Sequence, residues 1–120
     1  MNQMIINGRK TDAVSKQTIN VVAPSDGEVF TSIPRGDAAD VDLAVKAARQ
    51  ALNSDWGTTP AFERGRLLVK LGQAVLDHQE ELAQLESKDT GKPISTSRGD
   101  IAVLARYFEF YGGGADKVHG

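Results

Sequence analysis

The hydrophobic pattern changes period near residue 35, and that change confines the chain to a mixed α/β fold. Before it, short apolar runs are broken by turn residues. Met4-Ile5-Ile6 is followed directly by Asn7-Gly8, a pair suited to the positive φ angles of a type I′ hairpin turn. Ile19 to Val22 ends at Pro24-Ser25-Asp26-Gly27, where every residue favours a turn. Glu28-Val29-Phe30-Thr31-Ser32-Ile33 then resumes a strand-like pattern. These segments predict a hairpin-rich sheet over residues 4–34.

Beyond that point the apolar residues recur at helical spacing. A first helix starts near Asp37, whose carboxylate can accept from the free N–H groups of the first turn. Asp40 adds negative charge where the helix dipole favours it. Val41, Ala44, Val45, Ala48 and Leu52 share one face, and the alanines allow a neighbour to come close. A second helix is expected with Thr59 as cap and Pro60 at its first position. Its stripe is Leu67, Leu68, Leu71, Ala74 and Val75, with Arg64, Arg66 and Lys70 mostly off it. A third runs from Gln79 to Lys88 with Leu82 and Leu85 inward, and Asp89-Thr90-Gly91-Lys92-Pro93 ends it. A fourth spans 97–111 on Ile101, Leu104, Ala105 and Phe108, capped by Ser95-Thr96-Ser97. Gly112-Gly113-Gly114 weakens it, and a short helical tail continues to His119.

Composition narrows the function classes. The hydrophobic fraction of 40% and charged fraction of 25% are those of a globular chain, which argues against disorder. A net charge of −2 gives no electrostatic reason to expect nucleic acid or an anionic membrane as partner. No apolar run reaches the roughly 20 residues of a membrane span, and the N-terminus has no signal-peptide pattern, so a cytoplasmic location is expected. The count of cysteines is 0, which removes disulfides, thiolate metal sites and a cysteine nucleophile from these residues.

Few residues carry a chemical signal. Gly112–Gly114 follows a helix rather than a strand and lacks the G-x-G-x-x-G spacing, because Lys117 takes the last position. Gly91-Lys92-Pro93 lacks the Ser or Thr that follows a phosphate-loop lysine. His78 and His119 have no second ligand at helical spacing. Asp89 stands out, since it sits at a helix C-terminus, where the dipole opposes negative charge. Lys88 or Lys92 can offset it as a surface pair, and a bound cation would do so equally well.

The order of these segments resembles the aldehyde dehydrogenase superfamily. Ile6-Asn7-Gly8 looks like its opening hairpin, and Ala23-Pro24-Ser25-Asp26-Gly27-Glu28-Val29 looks like its Asn-Pro-Ala-Thr-Gly-Glu-Val turn, with Ala23 for Asn. Asp40-Val41-Asp42, Ala44-Val45 and Ala47-Ala48 resemble its first helix, which Trp56 and Arg64-Gly65-Arg66-Leu67-Leu68 continue. Leu85-Glu86-Ser87-Lys88-Asp89-Thr90-Gly91-Lys92-Pro93 is the most specific stretch. Tyr111-Gly112-Gly113-Gly114-Ala115-Asp116-Lys117 resembles the closing segment, where the family more often has Tyr-Ala-Gly-x-Ala-Asp-Lys.

The resemblance implies that residues 1–120 are the N-terminal hairpins and helices of an incomplete cofactor-binding domain, with no separate second domain. It implies an enzyme that oxidises an aldehyde with NAD or NADP through a cysteine thiolate and a glutamate base. It also implies a homo-oligomer, dimer or tetramer. The catalytic and cofactor-binding motifs come later in the family, so no residue here is assigned to either role. The family's monovalent cation site, for K+ or Na+, maps onto Val22 and Asp89, and the mouth of its substrate tunnel maps onto Gly99 and Val103. The chain taken alone is therefore expected to be inactive and to stop within a domain. A non-enzymatic interaction module and one chain of a split enzyme are the alternatives.

Overall fold

The computed structural model describes residues 2–118. It is an α/β chain in two units, residues 1–58 and 59–120.

The first unit begins with a hairpin of β1 (Met4–Ile6) and β2 (Arg9–Thr11), paired antiparallel with Ile6 opposite Arg9. Asn7 and Gly8, at φ 53 and 70, make the turn that their sequence predicts. A second hairpin joins β3 (Thr18–Val22) to β4 (Val29–Pro34), with Ile19 opposite Ile33 and a register shift between Val21 and Val22. The hairpins form two separate two-stranded sheets rather than one. Helix α1 (Ala38–Leu52) starts at an Asp37 cap, as expected.

Asp40 does more than meet the dipole. Its Oδ2 accepts from the Asp37 N–H and its Oδ1 from the Val14 N–H, both at 3.0 Å, and it is 4% exposed. One carboxylate thus closes the capping box and ties the segment after β2 to the helix. A four-residue helix, α2 (Asp55–Thr58), follows and was not expected from the periodicity.

The second unit holds α3 (Ala61–Asp77), α4 (Gln79–Thr90) and α5 (Ile94–Gly114). Its core joins Val75, Ala83, Ile101 and Ala105, with Leu82, Ile94 and Phe108 packed against them. Pro60, not Thr59, is the N-cap of α3, and Pro93 is the N-cap of α5, so Ser95-Thr96-Ser97 lies inside its first turn rather than capping it. Leu85 is 57% exposed rather than inward, while its neighbour Ala83 is fully buried. Leu104 is exposed as well.

Helix α5 runs through the three glycines and ends at Gly114. Gly112 packs on Gly65 of α3, where a Cβ on Gly65 would lie 2.3 Å from the Gly112 carbonyl oxygen. The contact repeats nearer the middle of α3, where a Cβ on Gly72 would lie 3.0 Å from the Ala105 carbonyl oxygen. Residues 115–118 carry the chain on without helix, and His119 of the expected tail lies outside the described residues.

Candidate functional site

The corner between α4 and α5 carries a connected polar network. Gly91 takes the left-handed φ of 74 that closes α4, and its N–H donates to the Ser87 carbonyl at 2.9 Å. The Thr90 hydroxyl donates back to the Glu86 carbonyl at 2.7 Å, and the Ser87 hydroxyl donates to the Lys92 carbonyl at 2.6 Å. Lys92 Nζ then reaches Glu86 Oε1 and Asp100 Oδ2, each at 2.6 Å. Asp100 and then Glu86 stabilise its charged form by hydrogen bonding and push its pKa up. The second oxygen of Glu86, Oε2, is buried without a partner.

Lys92 is therefore committed to Glu86 and Asp100, which sequence spacing did not single out. Asp89 lies exposed in the last turn of α4. The outer side of the same helix pair carries a second link. Glu80 accepts from Arg98 Nε and Nη2, both at 2.8 Å. The Arg98 bonds, and then one from Gln84, hold the Glu80 carboxyl down at about 2. Gln79 Nε2 donates to the Arg98 carbonyl at 2.9 Å.

The four residues singled out from the resemblance divide between the units. Val22 is in the first, at the end of β3 where the register shifts, and its side chain is 47% exposed. Asp89, Gly99 and Val103 are in the second. Gly99 and Val103 are one helical turn apart on α5, both exposed, and a Cβ added at Gly99 would meet nothing within 4 Å.

Neither glycine segment can cradle a phosphate. Gly112–Gly114 lies in the last turn of α5, where backbone N–H groups are used within the helix, and Gly91 sits at the carbonyl end of α4. Neither segment therefore fits a dinucleotide pyrophosphate. Among them, no group of three or more His, Asp or Glu converges as a metal cluster. No helix among them is long and apolar enough to cross a membrane.

Comparison with known proteins places this arrangement. The model of the aldehyde dehydrogenase family matches residues 11–120. The mitochondrial aldehyde dehydrogenase family 2 member B4 of Arabidopsis thaliana is 43% identical over 120 residues, a match covering 98% of this chain and 22% of that protein. The mitochondrial aldehyde dehydrogenase of Homo sapiens is 44% identical over 122 residues, covering 99% of this chain and 24% of that protein.

Solved structures agree. PnpE of Pseudomonas sp. WBC-3 superposes with a TM-score of 0.95 at 52% identity, covering 99% of this chain and 24% of that one. PnpE in complex with nicotinamide adenine dinucleotide gives the same values. The NAD-dependent aldehyde dehydrogenase of Sinorhizobium meliloti has a TM-score of 0.95 at 40% identity, covering 99% and 24%. The chain spans less than a quarter of the length of these relatives. With the family model matched along 11–120 and both hairpins and helices superposing on solved members, this chain belongs to the aldehyde dehydrogenase family.

Proposed function

We propose that residues 1–120 form the N-terminal part of an enzyme that oxidises an aldehyde to a carboxylic acid with NAD(P)+, within its cofactor-binding domain and without a second domain of their own. The observation that carries this is the family match over 11–120. PnpE in complex with nicotinamide adenine dinucleotide supports NAD as the cofactor. NADP is the other member of the class. Taken alone, the chain is inactive, because a sequence with 0 cysteines has no thiolate to attack the aldehyde carbon. In the complete enzyme, Val22 and Asp89 contribute oxygen ligands to a monovalent cation, K+ or Na+, and Gly99 and Val103 line the mouth of the aldehyde tunnel. The exposed carboxylate of Asp89 at the C-terminus of α4 supports the first assignment, and the open exposed face at Gly99 and Val103 supports the second. The enzyme is a cytoplasmic homo-oligomer, dimer or tetramer, that engages neither nucleic acid nor membrane. The names of the Arabidopsis and human relatives place those two proteins in mitochondria.

Two measurements test this. Chain 1–120, free of host enzymes, is expected to give no NAD(P)H above blank with any aldehyde of a broad panel. The coding sequence beyond codon 120 is expected to continue in frame to a cysteine-containing segment. Turnover by the chain alone would overturn the inactivity, and a stop codon followed by unrelated sequence would favour the non-enzymatic module.

A further inference from the structure

An asparagine carboxamide is open to attack by the backbone nitrogen of the next residue, and glycine, with no side chain, hinders that attack least. The sequence places glycine after asparagine once, at Asn7-Gly8. Both residues are exposed at the tip of the β1–β2 hairpin. Among the described residues, neither the Asn7 carboxamide nor the Gly8 N–H makes a hydrogen bond. A Cβ added at Gly8 would meet nothing within 4 Å, so that side of the turn is open. The other described asparagines differ. Asn2 and Asn20 precede Gln3 and Val21, whose side chains crowd the nitrogen, and after Asn53 the Ser54 N–H donates to the Ala51 carbonyl at 3.1 Å. The related pair Asp26-Gly27 is pinned, because the Gly27 N–H donates to the Ala23 carbonyl and Asp26 Oδ1 accepts from the Glu28 N–H, both at 2.9 Å.

The closed turn holds the reacting atoms apart. Attack forms a five-membered ring, which needs the Gly8 nitrogen on the same side of the Asn7 Cα–C bond as Cβ. With Asn7 at φ 53 and Gly8 at φ 70, and Ile6 opposite Arg9, the loop is a type I′ turn. In that turn the Gly8 nitrogen lies on the far side from Cβ. The hairpin must therefore open before the ring can close. It joins two strands of 3 residues each, and a two-stranded ribbon of that size is marginal in water.

We propose that Asn7 is a site of spontaneous deamidation whose rate is set by opening of the β1–β2 hairpin. The Gly8 nitrogen bonds to Asn7 Cγ, the carboxamide C–N bond breaks, and the amide group leaves as ammonia with the Gly8 proton. Water then opens the resulting succinimide. Attack at Cγ leaves aspartate, and attack at the backbone carbonyl leaves isoaspartate. Aspartate keeps the chain length and tolerates the left-handed turn. Isoaspartate adds a methylene to the backbone of a two-residue loop, so Ile6 and Arg9 can no longer face each other as they do now. Asn7 and Gly8 lie beside Ala44, Ala47 and Ala48 of α1, so the altered tip also loosens the hairpin from that helix. This modification is independent of the aldehyde chemistry proposed above.

The test ages the full-length protein at mildly alkaline pH beside a free peptide of residues 2–13. Mass spectrometry of the tryptic peptide ending at Arg9 follows replacement of the amide by a hydroxyl, and isoaspartyl methyltransferase labelling counts the isoaspartate. Conversion at Asn7 is expected in both, more slowly in the protein. Asn7→Gly, which keeps a positive φ and removes the carboxamide, is expected to abolish the labelling. Ile5 is 72% exposed, so Ile5→Gly weakens the strand without opening a core, and it is expected to speed conversion about threefold or more. No conversion in the protein after the peptide has fully reacted would overturn the site. Equal rates in protein and peptide, or a rate unmoved by Ile5→Gly, would overturn the control by hairpin opening.

Discussion

Gly65 and Gly112 bring α3 and α5 into close backbone contact, and a single methyl group tests whether that contact holds the second unit together. A Cβ at Gly65 would lie 2.3 Å from the Gly112 carbonyl oxygen and 3.1 Å from Ala115 Cβ. A Cβ at Gly112 would lie 2.7 Å from the Gly65 carbonyl oxygen and 2.9 Å from Val69 Cγ2. Backbone oxygens cannot rotate away, so the helices must separate and loosen Val75, Ile101 and Ala105 with them. Overpacking of this kind costs roughly 1–3 kcal/mol, and the backbone clash puts Gly65→Ala at the upper end. Replacing a helical glycine with alanine returns about 1 kcal/mol. The expected net loss is then about 2 kcal/mol for Gly65→Ala, somewhat less for Gly112→Ala, and near zero for Gly72→Ala, whose contacts begin at 3.0 Å. Gly113→Ala is the control. Its Cβ would meet nothing within 4 Å, so it should gain about 0.5–1 kcal/mol. Urea unfolding followed by far-ultraviolet circular dichroism ranks the four variants. Equal midpoints for Gly65→Ala and Gly113→Ala would refute the idea that helix contact, rather than helix propensity, governs these glycines.

Three further outcomes are expected. The chain studied alone should be marginally stable and bind a hydrophobic dye, because Val103, Tyr107, Phe110 and Tyr111 of α5 are exposed, as are Val41 and Val45 of α1; a sharp cooperative melt from a monodisperse monomer without dye binding would contradict this. Glu80, lowered from 4.5 to about 2 by Arg98, contributes stability that is fully present above pH 4.5 and is lost as pH falls from there toward 2. Arg98→Gln should therefore flatten the acid limb of the melting-temperature profile over that window, and an unchanged limb would show that the pair is not coupled to folding. In the complete enzyme, replacing K+ with a bulky organic cation at fixed ionic strength should lower the melting temperature, and Asp89→Asn should abolish the difference; a wild type equally stable in both salts would exclude the cation site and leave Asp89 a surface charge.

Local rules read well where a residue's own backbone decides the outcome. Asn7 and Gly8 turn the first hairpin, Asp37 caps α1 and Gly91 closes α4, each as its chemistry dictates. They fail where a neighbour decides. Helix propensity makes three consecutive glycines a poor place for a helix, yet α5 runs through them because Gly112 must lie against Gly65. The same competition explains Leu85. The inward face of α4 carries Leu82, Ala83 and Glu86, so the small alanine sits at the contact and the larger leucine turns out. A four-residue element such as α2 is too short to leave a periodic signal.

The polar clusters were less legible for a related reason. Lys92 joins a carboxylate six residues before it to one eight residues after it, and it lies in the corner between α4 and α5, so no spacing within one helix links the three. Glu86 by its position reads as one more surface acid. It can occupy the inward face of α4 only because Lys92 neutralises it there. Asp40 shows the opposite case. Its place in the first turn predicts a weak dipole interaction, while its bond to the Val14 N–H joins segments that no local pattern connects. Asp89 was legible because its conflict is local, a negative charge at the carbonyl end of a helix. What resolves that conflict need not be local, and so physical reasoning isolates Asp89 while only family resemblance pairs it with Val22. The salt exchange and the Asp89→Asn substitution address that pairing directly, since an ordinary surface charge responds to ionic strength and is indifferent to which cation supplies it.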